Sequence, residues 1–127
     1  MRMNGGTRRS ENTRGSGKLK KEVEANLSFD RVLILIDAIE KIGGCWTIEN
    51  PASSYLWYDK AVAALCRRPG VVTVRFDKCA YGLKGIDADG SFVKKPTMIV
   101  GNSELLESLK RRCRRNHVRI HCLGWKT

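Results

Sequence analysis

Cys45-Trp46-Thr47-Ile48-Glu49-Asn50-Pro51 is a short apolar run that breaks into Glu-Asn-Pro between two predicted helices. At the carboxyl end of a strand in an open α/β sheet, polar residues sit at the crevice edge where ligands bind. A carboxylate and an amide in that position can read or polarise a nitrogen-rich ring. Pro51 removes a backbone donor and turns the chain away from the sheet. It also biases Asn50 toward an extended conformation, which directs both polar side chains. The plainer reading of Asn50-Pro51 is a strand-ending turn.

The flanks of this run define the elements. Upstream, Ser28 is a candidate cap for a helix reaching Ile42, with Phe29, Val32, Leu33, Ile36, Ile39 and Ile42 on one face. Ile34 and Leu35 widen that stripe, so burial on both sides of the helix is expected. Gly43-Gly44 ends it. Residues 45–49 read as a strand. Residues 54–67 read as a second helix with Leu56, Val62, Ala63 and Leu65 inward, stopped by Pro69-Gly70.

Val71 to Phe76 is the clearest strand, rich in β-branched residues. Residues 78–96 are irregular, and Asp87-Ala88-Asp89-Gly90-Ser91 reads as a turn at the tip of a hairpin. The turn lacks the alternating ligands and distal Glu of a calcium loop. Thr97 to Val100 is a third strand. Asn102 or Ser103 is a candidate cap for a helix from Glu104 to Arg115, with Leu105, Leu106 and Leu109 inward. His117 to His121 reads as an edge strand. The order predicts an α/β fold, a small layered sheet with flanking helices.

The chain has 127 residues, 42% of them hydrophobic, which suits one ordinary domain. No apolar run approaches the roughly 20 residues that span a bilayer. The amino terminus has no apolar h-region, so an intracellular, non-membrane protein is expected. Residues 1–26 hold almost no large apolar side chains and read as a disordered basic arm before an α/β domain at 27–127. The five cysteines are odd in number and widely spaced. They read as free thiols or ligands rather than a disulfide framework.

There are 24 Lys+Arg against 13 Asp+Glu, giving +11. The excess lies at the two ends. Residues 104–127 include Lys110, Arg111, Arg112, Arg114, Arg115 and Arg119, with only Glu104 and Glu107 as acids. Basic ends around a balanced middle point to a polyanion, most simply DNA or RNA. An acidic protein or an RNA-rich assembly would use the same charges.

Four pieces, in order, carry a resemblance: I-E-N-P at 48–51, R-F-D-K-C-A-Y-G at 75–82, K-K-P-T-M-I-V-G-N at 94–102, and a terminal R-R-C with His117 and His121. Together they resemble the carboxyl-terminal half of S-adenosylmethionine-dependent DNA methyltransferase-like proteins of phages and mobile elements, over residues 45–122. The resemblance implies a partial Rossmann-like half-domain. It implies that Glu49 contacts a ring nitrogen of a target cytosine, with Asn50 and Pro51 shaping the pocket. Tyr81 and Gly82 would line its floor and Lys95 would face phosphate. A flipped base needs such polar edge contacts and an aromatic face.

The departures are equally informative. No Gly-rich loop follows a strand, no Pro-Cys dipeptide supplies a nucleophile, and no Asp/Asn-Pro-Pro-Tyr/Phe motif is present. Catalysis by this chain alone is therefore not expected, and S-adenosylmethionine would bind only if a partner chain supplied the missing half. A basic non-enzymatic binding module and a subunit of a split methyltransferase are the alternatives.

Cys113, His117, His121 and Cys122 form a crowded cluster, with Cys79 as a distant companion. Zinc accepts these ligand types. Adjacent His121 and Cys122 would point to opposite sides of a strand, so at most three could share an ion. The expectation is no resident metal, with Cys113 packed beneath the last helix. Tyr55, Trp57 and Tyr58 could stack on bases, but more often pack a helix start.

Overall fold

The computed structural model describes residues 5–85, 90–115 and 119–121. It is a small α/β protein built on a three-stranded antiparallel sheet. In chain order the elements are α1 (Lys20–Lys41), β1 (Thr47–Pro51), α2 (Lys60–Cys66), β2 (Val72–Asp77), β3 (Phe92–Lys94), β4 (Pro96–Gly101) and β5 (Arg119–His121). Short 3₁₀ turns occupy Tyr55–Tyr58, Lys78–Tyr81 and Glu104–Leu109.

β4 lies in the middle, antiparallel to β1 on one side and to β2 on the other. β1 and β2 therefore run in the same direction without touching. Ile48 and Val100 are register partners and share the face that packs on Ile36 of α1 and Leu65 of α2, with Trp46 closing one end. Asn102 ties that end together: its amide oxygen accepts from Trp46 N at 2.9 Å and its Nδ2 donates to Gly44 O at 2.9 Å. Each fully buried Leu or Val contributes about 1.5–3 kcal/mol by leaving water.

Gly101 ends β4 opposite Thr47 of β1. An added Cβ would stand 2.5 Å from Trp46 O and 2.7 Å from Leu106 Cδ1. That carbonyl is main chain and accepts from Asn102 N at 3.4 Å, so it cannot swing aside as a side chain would. Gly101→Ala is expected to destabilise the fold by about 1–3 kcal/mol, read as a lower midpoint in a urea titration with unchanged slope.

Several expectations need correction. The first helix begins at Lys20, not Ser28. Residues 20–26 are good helix formers, and the chain before them is tied down by side-chain hydrogen bonds rather than left as a free arm. Thr7 Oγ1 donates to Glu22 at 2.6 Å, and Arg14 Nε donates to Asp59 at 2.8 Å. Composition could not show this, because no apolar burial is involved.

The last helix is likewise not formed. Glu104–Leu109 is a 3₁₀ turn capped by Ser103 Oγ, which accepts from Leu105 N, and Lys110 is extended. Lys110/Arg114 and Arg111/Arg115 would be like charges at i,i+4 on a helix, which is unfavourable. Leu105, expected inward, is exposed. The expected edge strand pairs with β3, in parallel, and not with the main sheet. The hairpin tip at 87–89 lies outside the described residues, but its flanks meet through a Lys84–Phe92 bridge and a Gly85 N to Ser91 O hydrogen bond of 2.8 Å.

Candidate nucleic-acid interface

Because β4 runs against its neighbours, three sequence motifs meet at one end of the sheet. Pro51 is paired with Thr97, Phe76 with Thr97, and Asp77 with Pro96. Glu49-Asn50-Pro51, Asp77 to Gly82 and Lys95 to Thr97 thus share that end. β1 extends to Pro51, two residues past the predicted stop. A proline fits there because β1 is paired on one side only.

Strand alternation separates the first two polar residues. Glu49 reaches toward β2 and forms an ion pair with Lys78 Nζ at 3.0 Å, with both side chains partly exposed. Asn50 instead lines a cavity of about 390 Å³ between β1, α1 and the amino-terminal segment, with Phe29, Arg14 and Asp59. Glu49, Asn50, Pro51, Tyr81 and Gly82 are not gathered into the single base pocket expected of them: Asn50 lines this cavity, Gly82 lines a separate cleft, and Glu49 lines neither.

Glu49→Gln is accordingly expected to change stability by less than about 1 kcal/mol, the range of an exposed pair. It should leave discrimination between matched and mismatched duplexes unchanged in a fluorescence-anisotropy competition. Lost discrimination would return Glu49 to a base-reading role.

Gly82 lines the separate cleft, and Tyr81 precedes it in the chain. Gly82 has φ 85°, the left-handed conformation that ends the 3₁₀ turn and favours glycine. The Tyr81 hydroxyl donates to Leu109 O at 2.6 Å, and its ring meets Phe76 edge-on at 5.6 Å. The Arg111 guanidinium carbon lies 4.7 Å from the Tyr81 ring centroid. Tyr81 is therefore a support for Arg111, and stacking a base on that face would require Arg111 to move.

Asp77, at the end of β2, holds the backbone of the basic stretch that follows Leu109. Asp77 N donates to Arg111 O at 2.9 Å, and Asp77 Oδ2 accepts from Cys113 N at 2.8 Å. The result is an open cleft of about 760 Å³ lined by Lys110, Arg111, Arg112, Arg114, Phe92 and Gly82, with Cys79 and Ala80 also in its wall. Four cations beside a glycine form a groove suited to phosphates, and the Phe92 ring in its wall carries Lys84 Nζ 5.2 Å from its centroid.

Lys95 lies beside this region through its backbone, its carbonyl accepting from Lys78 N at 3.2 Å. It does not line the cleft. Arg115 is exposed with φ 59°. The side chain of Arg119 lies outside the described set.

Cys79 is buried, and burial pushes its thiol pKa up, with a hydrogen bond to Cys113 adding to the shift. Such a thiol stays protonated at neutral pH, which makes it a poor nucleophile. His117 and the His121 side chain lie outside the described residues. Among the described residues no three His, Cys, Asp or Glu groups converge as a metal site. Trp57 is half-buried against the core and donates from Nε1 to Pro51 O at 2.8 Å, while Tyr58 is exposed. No described helix is long and apolar enough to cross a membrane.

Sequence reasoning missed Asp77 and Phe92. Asp77 carried no local signal, since its partners lie more than thirty residues downstream. Phe92 was hidden in a stretch read as irregular. No protein-family model, curated protein or solved structure matches this chain.

Proposed function

We propose that this chain binds nucleic acid through the cleft beside Gly82 and Phe92, and that it represents the Glu-Asn-Pro-bearing half of a DNA methyltransferase-like domain without catalysis of its own. The observation that carries the reading is the row of Lys110, Arg111, Arg112 and Arg114 along one open cleft. The row is held by Asp77 and braced by Tyr81. A phosphate backbone is a line of negative charge, and several cations along one open cleft can follow it. The half-domain reading is supported by the meeting of three resembling motifs at one end of the sheet.

The absence of a phosphate-type Gly-rich loop and of a Pro-Cys nucleophile in the sequence gives a direct test. Isothermal titration of the protein with S-adenosylmethionine should show no binding at micromolar concentration. A tritiated-methyl assay on duplex and single-stranded DNA should show no transfer above background. Fluorescence anisotropy should show that the same preparation binds a labelled oligonucleotide. Micromolar cofactor binding would overturn the half-domain reading, and failure to bind any oligonucleotide at low salt would overturn the nucleic-acid reading.

A further inference from the structure

Two cysteines that lie far apart in the sequence meet at the wall of the basic cleft. Cys79 belongs to the 3₁₀ turn that follows β2, and Cys113 to the basic stretch after Leu109. Four contacts lay the turn against the stretch. Asp77 N donates to Arg111 O at 2.9 Å, and Asp77 Oδ2 accepts from Cys113 N at 2.8 Å. The Tyr81 hydroxyl donates to Leu109 O at 2.6 Å, and Arg111 lies over the Tyr81 ring. The same placement brings the two thiols together, the Cys79 S–H donating to the Cys113 sulfur.

The two thiols are not equivalent. Cys79 is 3% exposed. Burial first, and then the hydrogen bond to Cys113, keep it protonated. Cys113 is half-buried, stands between Arg112 and Arg114 in the chain, and is the acceptor of the pair. The thiolate is the form that attacks a peroxide, and neighbouring cations favour it. A sulfenic acid next to a second thiol condenses with it reversibly. We infer that Cys113 and Cys79 form a reversible redox site, in which hydrogen peroxide oxidises Cys113 and Cys79 closes the disulfide. The Cys113 sulfur attacks one peroxide oxygen, the O–O bond breaks, and water leaves behind a sulfenic acid. The Cys79 sulfur then bonds to the Cys113 sulfur, and the sulfenic hydroxyl departs with the Cys79 proton as a second water. Two thiols give up two electrons and one peroxide takes them. Contact makes the second step intramolecular, which offsets the weak nucleophilicity of a protonated thiol. In the reduced chain, hydrogen bonds hold the basic stretch to the end of β2; the disulfide would fix it there covalently. The inference does not depend on the nucleic-acid reading.

Thiol mapping by mass spectrometry, on the full chain treated with hydrogen peroxide, tests this. A non-reducing digest should yield a crosslinked Cys79–Cys113 peptide pair, lighter by two hydrogens and released by dithiothreitol. Cys113 should be consumed about tenfold faster than Cys45, which is exposed but has no second thiol beside it among the described residues. In Cys113→Ser, a change at a half-buried position, Cys79 should stay reduced, because burial shields it from the oxidant. In Cys79→Ser, the Cys113 sulfenic acid should persist and be trapped by dimedone. Absence of the crosslinked pair at every peroxide dose overturns the proposal. So does oxidation of Cys45 ahead of Cys113, or oxidation of Cys79 at the wild-type rate in Cys113→Ser.

Discussion

Replacing Lys110, Arg111, Arg112 and Arg114 together by glutamine is expected to lower affinity for a 20-nucleotide single strand about 100-fold at ~0.1 M salt. The reason is counterion release: each side chain that neutralises a phosphate frees condensed cations, and all four line the same cleft. Glutamine preserves much of the aliphatic stem, so packing along the cleft wall changes little. Only Arg111 has a second role, over the Tyr81 ring, and its loss should cost about 0.5–1 kcal/mol of stability. Anisotropy titrations measure the affinity, and a thermal melt of the same samples separates it from unfolding. An unchanged affinity in a folded variant would remove the cleft from function.

The largest expected effect on stability is at Asp59. It is 6% exposed and does three jobs at once. Its Oδ1 accepts from Ala61 N at 3.0 Å and from Val62 N at 3.4 Å, capping α2. Its Oδ2 accepts from Arg14 Nε at 2.8 Å and from Thr13 Oγ1 at 3.0 Å. Loss of a cap costs about 1 kcal/mol, and leaving Thr13 Oγ1 and Arg14 Nε without their acceptor adds to it, although Arg14 keeps its ion pair with Asp30 at 2.7 Å. Asp59→Ala should therefore destabilise by about 2–3 kcal/mol in a urea titration.

Burial alone would raise this carboxyl's pKa, but the hydrogen bonds from Arg14 and Thr13 outweigh it and hold the group below its ordinary 3.8. A carboxyl depressed in the folded state stabilises fully above its unfolded value and loses that contribution as pH falls through the folded value. The wild type should thus lose stability on acidification below about pH 4. Asp59→Asn, which cannot ionise, should lose less over the same range. Parallel acid slopes for the two proteins would place the acid-sensitive group elsewhere.

Much of the fold could be read from residue type. The β-branched run at 71–76 and the stretch 97–100 became β2 and β4, and Pro69-Gly70 ended α2. Three things could not be read. α1 starts eight residues before the serine that looked like its cap, because Lys, Glu and Ala at 20–25 sustain a helix with no side-chain cap at Leu19. The basic stretch after Leu109 carries a helical spacing of leucines before it, yet its backbone is claimed by Asp77, 36 residues before Cys113. The amino-terminal segment is fixed by polar side chains whose partners, Glu22, Asn26 and Asp59, are invisible to a composition argument.

The site was half legible. The charge run marked the cleft, and Gly82 belongs to it. Glu49 and Asn50 were assigned to one pocket, although neighbouring residues of a strand face opposite ways. The structure follows that alternation, with Glu49 on Lys78 and Asn50 against the α1 cavity. Asp77 was quoted only as part of a motif, and its position at the end of β2 makes it the anchor of the basic stretch after Leu109.

The most direct test is the salt dependence of oligonucleotide binding, measured side by side for the wild type and the variant with Lys110, Arg111, Arg112 and Arg114 changed to glutamine. For single strands each neutralised phosphate contributes about −0.7 to the slope of log affinity against log salt. The wild type should show a slope of about −3 or steeper, and the variant a slope shallower by about 2–3. Equal slopes for the two proteins, or a wild-type slope near zero, would contradict the assignment of this cleft to nucleic acid.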